Sequence, residues 1–187
     1  MSQVSTSRSL PPRWLLAPLL VGVGVAVLVA LVARREAIAP SAYPGGYFRL
    51  FFSDPIHLKV WFASAAFALA ILQPLGAAWM FGKLPWRRPR WLATFHRVNG
   101  YLILLLTLPV AYHCVFKLGL QETPARVAAH AFLGCALYGA FAAKILIVRL
   151  RLATWALVGD GTLLFSLLTA LWFTSAFWFF STAGVGL

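Results

Sequence analysis

Long apolar stretches alternate with short polar ones along the chain, and this pattern predicts the fold. The bilayer core is crossed by roughly 20 helical residues, and five of the apolar stretches reach or approach that length. The predicted spans cover residues 14–33, 55–81, 95–118, 124–148 and 154–182. The pattern therefore predicts an all-α fold, an integral membrane bundle of about five transmembrane helices that forms one domain over residues 1–187.

Two proline-containing segments predict where helices begin. Ser53-Asp54-Pro55 places a capping side chain and an acidic group before a proline, which is typical of a helix N-terminus. Thr123-Pro124 predicts the start of the fourth helix by the same logic. Near the start of the last span, Gly159-Asp160-Gly161 interrupts the apolar run. This interruption allows an alternative prediction, in which residues 154–161 lie at the membrane interface.

The composition agrees with a membrane protein. Hydrophobic residues make up 61% of the chain and charged residues 11%, whereas a soluble domain carries about 25% charged residues. With so few charges, the folded chain could not cover its apolar surface in water. We therefore expect a multi-pass protein whose main partner is the lipid bilayer.

The basic residues predict the orientation of the spans. With the N-terminus in the cytoplasm and the C-terminus outside, ten of the 16 Lys and Arg residues fall on the inner side and six on the outer side. That excess follows the positive-inside rule. Because the basic residues flank the spans and form no groove-sized patch, we predict no nucleic-acid partner.

Four histidines offer most of the chemistry in this sequence. His57, His113 and His130 are predicted near the outer ends of three helices. His96 lies roughly 25 Å from His113 along the third helix, near the inner surface. Ionisable groups in membrane spans are costly and mark functional sites by default. The plain alternative is that a buried histidine only hydrogen-bonds a neighbouring helix.

The three outer imidazoles predict haem b, which takes one or two axial imidazoles and an apolar slot. Small residues that could make room for the macrocycle are Ser64, Ala65, Ala68 and Gly134. Cations that could meet the propionates are Arg126, Lys59, Lys117 and Arg49. Three axial pairs stay open: His57 with His130, His113 with His130, and His57 with His113. The short loop between the third and fourth helices predicts that these two pack too closely to hold a haem.

Two other functions stay open beside haem. His57, His113 and His130 could hold copper or zinc directly. The chain could also be a non-catalytic subunit or assembly factor that contacts other subunits of a larger membrane complex. We find no phosphate loop, paired carboxylates, Cys-x-x-Cys-His segment or nucleophile motif in the sequence. An electron-transfer role is therefore favoured over an enzymatic one.

A second polar group is predicted at the inner side. His96, Asn99 and Tyr101 lie at the start of the third helix, and Lys144 reaches a similar depth on the fourth, where Asp160 could join it. Such donors beside apolar walls could bind a quinone headgroup and move its protons. Alternatively, Lys144 only extends its ammonium group to the lipid headgroups.

Several stretches resemble a family of small bacterial membrane proteins of unknown function. They are HLKVWFASAAFALAILQ, FHRVNGY, LPVAYHC, ARVAAHAFLGCALYGAFAAKILIVR and LWFTSAFWFF. The resemblance covers about residues 50–180 and implies a bacterial plasma membrane. A looser similarity, to ferric-reductase-like and ascorbate-type b cytochromes, rests on His96-Arg97-x-x-Gly100 and a second outer histidine. The last helix has no histidine, so the similarity does not imply the two-haem arrangement of those cytochromes.

Together these observations predict a membrane b-type cytochrome. It would pass single electrons between a quinone or another membrane donor and a redox partner protein on the extracytoplasmic face.

Overall fold

The computed structural model describes residue 14 and residues 16–38 and 48–183 of the chain. These residues form α1 (Leu16–Ile38), α2 (Pro55–Met80), α3 (Leu92–His113), α4 (Ala125–Arg149), α5 (Thr154–Trp172) and α6 (Trp178–Ala183). Two π-helical segments extend them. Cys114–Leu118 continues α3, and Phe173–Phe177 joins α5 to α6.

Five helical units are long and apolar enough to cross a membrane. They are Leu16–Ala37, Pro55–Met80, Leu92–Leu118, Ala125–Arg149 and Thr154–Ala183. Large apolar side chains cover the outer surface, among them Leu20, 68% exposed, and Leu105, 58% exposed. Because such a surface is stable in lipid and not in water, the predicted all-α membrane bundle of five spans is confirmed.

The bundle has two ends, the His130 end and the Lys144 end. At the His130 end, α2 and α4 begin and α3 ends. At the Lys144 end, α2 and α4 end and α3 and α5 begin. The helix positions put His57 and His113 at the His130 end and His96 at the Lys144 end, which is the division that the sequence indicates.

Neighbouring helices in the bundle are not always neighbours in the sequence. The largest contacts join α1 to α4 and α2 to α3, followed by those of α5 with α4 and α2. The backbones of the consecutive helices α3 and α4 are not in close contact, although side chains of both enter one core. The prediction that they pack too closely to enclose a ligand is therefore wrong. A core of small and branched residues holds the bundle at mid-depth, formed by Ala66, Ala70, Ile103, Leu137, Ala140, Leu167 and Leu168.

Both predicted helix starts are confirmed in position, but only the first has the predicted side-chain cap. Asp54 caps α2, and its carboxylate accepts hydrogen bonds from the backbone N–H groups of Ile56 and His57 at 2.7 and 2.9 Å. The start at Ser53-Asp54-Pro55 is thus confirmed. The capping role of Thr123 is wrong, because α4 begins at Ala125 without a side-chain cap. The Pro124 carbonyl instead accepts the backbone N–H groups of residues 127 and 128.

The last span is helical from its first residue. The alternative that residues 154–161 lie at the membrane interface stays a prediction, but Gly159-Asp160-Gly161 lies within α5 and does not interrupt the helix. The reason is that the Asp160 carboxylate has a cation nearby, the Lys144 ammonium at 3.7 Å. A charge partner within the bundle reduces the penalty for placing an acidic residue in a span.

Close packing of α1 against α4 depends on glycine. A Cβ atom added to Gly22 would lie 3.0 Å from the Gly139 carbonyl oxygen and 3.2 Å from the Cβ of Ala143. Small residues at such crossings let two backbones approach, which increases van der Waals contact between helices in lipid. Gly24 is two residues away on the same helix, and a Cβ added there would meet no atom within 4 Å.

Replacement of Gly22 by Leu should therefore destabilise the bundle, whereas Gly24→Leu should not. Forcing a side chain into a packed contact costs about 1–3 kcal/mol. We expect a lower thermal unfolding midpoint in detergent for Gly22→Leu and an unchanged midpoint for Gly24→Leu. Equal midpoints for the two variants would contradict the α1–α4 contact described here.

Candidate functional site

An apolar cavity lies between α3 and α4 at the His130 end. It consists of two adjoining chambers of about 130 and 260 Å³. The smaller one, the deep chamber, extends from His130 to Tyr138 and Leu168. The larger one, the mouth chamber, lies beside Lys59 and Arg126. The chambers share the wall residues Val110, Cys114, Leu118, Val127, His130 and Ser175.

Small side chains make the space in the deep chamber. They are Ala63 and Ala66 on α2, Ala111 on α3, and Ala131 and Gly134 on α4. Gly134 is thus placed as predicted. The predicted face of α2, with Ser64, Ala65 and Ala68, is wrong, because α2 turns Ala63 and Ala66 toward the cavity. Ser64 instead accepts a hydrogen bond of 3.0 Å from the Trp172 indole.

Both π-helical segments border the cavity. Cys114, Val115 and Leu118 belong to the segment that continues α3, and Ser175 belongs to the one that follows α5. A π-helical turn changes which side chains face a site, and such turns occur frequently at functional sites. Their presence on two walls supports this cavity as the functional centre of the bundle.

His130 lies on the wall of both chambers, and one of its ring nitrogens is hydrogen-bonded. Its Nδ1 lies 3.1 Å from the Thr174 hydroxyl oxygen, and that hydroxyl donates to the Ala170 carbonyl at 2.8 Å. Because the hydroxyl hydrogen is used there, His130 Nδ1 is the donor to Thr174. The neutral ring then carries its lone pair on Nε2. This is the tautomer of a metal-ligating histidine, whose other N–H is held by a neighbouring group.

His57 is oriented by a carboxylate. Its Nδ1 lies 2.6 Å from the Asp54 carboxylate, at the first turn of α2. The backbone amide of His57 is the main cause that holds the pKa of the Asp54 carboxyl below its ordinary value. The imidazole edge contacts Phe179, with 5.6 Å between ring centroids, and Phe179 is part of the mouth-chamber wall. His57 therefore lies directly behind that wall and does not line it.

His113 is buried, with 1% of its surface exposed. Its ring lies nearly parallel to that of Phe48, with 6.4 Å between centroids, and against the edge of Tyr112. It precedes Cys114, a cavity-wall residue, but does not line the cavity itself. Over residues 16–38 and 48–183, no three His, Cys, Asp or Glu side chains form a group that could hold a metal ion. The structure thus does not bring His57, His113 and His130 together.

Two of the four predicted rim cations border the mouth chamber. Lys59 and Arg126 lie on its wall. The Arg126 guanidinium donates to the Thr174 carbonyl and lies 3.8 Å above the centre of the Trp178 ring. Lys117 lies near the Tyr112 ring and Arg49 donates to the Ser53 carbonyl, and neither is part of the cavity wall.

The four residues predicted to bind a quinone do not all meet at the Lys144 end. Asn99 is buried and donates to the Leu69 carbonyl at 2.9 Å, which ties α3 to α2. Tyr101 is 58% exposed on the outside of the bundle. His96 and Lys144 remain, and both lie at this end of the bundle. Asp160 joins them through Lys144.

These features define a multi-span α-helical membrane protein with an apolar, histidine-bearing cavity between two of its helices. The chain belongs to a family of unknown function, DUF6529, whose model matches residues 15–187. The resemblance to an uncharacterised family is thereby confirmed. No curated protein and no solved structure matches the chain.

Asp54 should stabilise α2 in a pH-dependent way. At neutral pH we expect Asp54→Ala to lower the free energy of unfolding by about 0.5–2 kcal/mol, since it removes the helix cap. Asp54→Asn should lose less, because asparagine also caps helices. A carboxyl whose pKa is lowered on folding stabilises above its ordinary pKa and loses this effect as the pH falls through the lowered value.

The difference between wild type and Asp54→Ala should accordingly shrink when thermal midpoints in detergent are measured at progressively lower pH. A difference that is constant with pH, or equal losses for Ala and Asn, would show that Asp54 is not the cap of α2 in its ionised form.

Proposed function

We propose that this chain is a b-type membrane cytochrome that holds haem b in the cavity between α3 and α4 and transfers single electrons. One observation carries the proposal: the apolar cavity between α3 and α4 has on its wall an imidazole, that of His130, whose Nδ1 is held by the Thr174 hydroxyl. A bound haem b would supply reversible one-electron transfer at its iron.

The chemistry of the cavity wall fits haem. Aliphatic and aromatic side chains would exclude water from the macrocycle, and Ala63, Ala66 and Gly134 leave the slot open. His130 would be an axial ligand, oriented through Nδ1 by Thr174. Lys59 and Arg126 at the mouth would pair with the two propionates.

We propose His57 as the second axial ligand. Its Nδ1 is held by Asp54, a carboxylate–histidine pair of the kind that orients metal ligands. Phe179 lies between the His57 ring and the mouth chamber, so ligation requires this side chain to move aside. His113, like His57, does not line the cavity, and it adjoins the wall through the next residue, Cys114. His113 is the alternative second ligand, and the spectra of the His57 and His113 variants distinguish the two.

The proposed setting is a bacterial plasma membrane with the N-terminus in the cytoplasm. The His130 end then lies at the extracytoplasmic face, where a redox partner protein would exchange electrons with the site. Lys83, Arg87, Arg88 and Arg90 follow α2 and lie at the opposite end, in agreement with the positive-inside rule.

Topology can be tested by cysteine labelling. In a chain with Cys114→Ala and Cys135→Ala, a probe cysteine at Gln121 should react with a membrane-impermeant maleimide added to intact cells. A probe at Arg88 should react only after the cells are opened. Both positions lie in loops between spans. The reverse labelling pattern would overturn the orientation, and with it the extracytoplasmic redox partner.

Purified protein should contain haem b in a one-to-one ratio, measured by the pyridine haemochrome method and by oxidised and dithionite-reduced spectra. His130→Gly should lose the haem, because the substitution removes an axial ligand. Imidazole added during purification should restore it, which a merely structural role of His130 does not predict. His96→Ala, at the other end of the bundle, is the matched control and should keep its haem.

The same spectra identify which histidine is the second ligand. His57→Ala should lose the low-spin bis-imidazole spectrum, whereas His113→Ala should keep it. The opposite result would assign the second position to His113. Colourless wild-type protein would exclude the haem function, and stoichiometric copper or zinc in that protein would favour a metal site.

A further inference from the structure

The Lys144 end contains a second group of polar side chains, from three different helices. His96 on α3, Lys144 on α4 and Asp160 on α5 all lie at this end of the bundle, and the Lys144 ammonium is 3.7 Å from the Asp160 carboxylate. The Asp160 side chain is only 8% exposed and that of Lys144 25% exposed. Charged and ionisable groups this deep in a membrane bundle are rare outside functional sites.

Within this group, Lys144 and Asp160 form a long ion pair. Charge-assisted N–H···O contacts are normally about 2.7–2.9 Å long, but the Lys144 ammonium is 3.7 Å from the Asp160 Oδ2. Lys144 donates instead to the Leu157 carbonyl at 2.7 Å. Within the described residues, Asp160 Oδ2 and His96 Nδ1 are both buried without a hydrogen-bond partner. Native proteins rarely leave such atoms unpaired unless a ligand, ion or water meets them.

Two glycines let the Lys144 and His96 side chains lie directly against the backbone of a neighbouring helix. A Cβ atom added to Gly161 would lie 3.2 Å from the Lys144 Nζ, and one added to Gly76 would lie 3.3 Å from the His96 Nδ1. Glycine is therefore present on α2 and on α5 where each ionisable group approaches the neighbouring backbone. Glycine thus lets both polar atoms pack closely against a neighbouring helix.

The surroundings favour a ligand that arrives through lipid. Next to the group, the outward faces of α3 and α5 carry apolar side chains that are exposed to the membrane, namely Phe95, Val98, Trp155 and Val158. A ligand for this site must therefore combine an apolar body with a polar head that both accepts and donates hydrogen bonds.

We infer that His96, Lys144 and Asp160 form a binding site for the headgroup of a lipid-soluble quinone. The Lys144 ammonium can donate to a carbonyl oxygen of the oxidised quinone. The Asp160 carboxylate and a neutral His96 Nδ1 can accept from the hydroxyls of the reduced form. Asn99 and Tyr101 take no part. The site is separate from the haem cavity and does not depend on it.

Binding can be measured with tritiated decylubiquinone and the full chain in lipid nanodiscs, with empty nanodiscs as the control for partition into lipid. We expect saturable binding above that background. Lys144→Met and Asp160→Asn should each weaken it at least about tenfold, the range expected for losing a hydrogen bond to a charged group.

A glycine pair provides a test that leaves every charge in place. Gly161→Ala puts a methyl group against the Lys144 ammonium and should weaken binding, whereas a Cβ at Gly159 meets no atom within 4 Å. Gly159→Ala should therefore bind like wild type. Retention equal to that of empty nanodiscs, or equal binding by the two alanine variants, would overturn the quinone site. Because the readout is ligand retention, a protein without haem still gives a result.

Discussion

Across the gap between α3 and α4, the Tyr138 hydroxyl donates to the carbonyl of Thr107 at 2.9 Å. The core residues Ile103 and Ala140 lie on one side of this bond. The cavity-wall residues Val110 and Gly134 lie on the other side. The separation is maintained because each helix is attached to a different neighbour. Glycine contacts hold α4 on α1, and the Asn99 amide holds α3 on α2. In lipid, where water cannot replace these contacts, such attachments fix the width of the gap.

The sequence predicts the number and approximate position of the spans well, because the hydrophobic pattern is set by the thickness of the bilayer and needs no tertiary information. The start of α2 is predictable for the same local reason, since Asp54 caps its own chain. The last span is different. Asp160 looks like a break in a helix until Lys144, 16 residues earlier and on another helix, is known to face it.

The cavity could be predicted only in part. Depth along a helix follows from counting residues, so the histidines fall at the correct ends. Rotation about each helix axis depends on packing, and it decides that His130 faces the cavity while His57 and His113 do not. Nothing in the sequence indicates that Thr174 contacts His130, because a threonine in an apolar span usually bonds to its own backbone. Its contact with His130 joins residues 44 positions apart.

The π-helical segment Phe173–Phe177 has a consequence for how this chain can change during evolution. A π turn takes in about one residue more than an α turn, so everything after it is rotated by about 100° relative to an uninterrupted α-helix. Trp178, under the Arg126 guanidinium, and Phe179, against His57, owe their directions to that offset. Loss of one residue from the segment would keep the span but turn both rings away from the mouth. Insertions and deletions should therefore be tolerated far less here than in the loops.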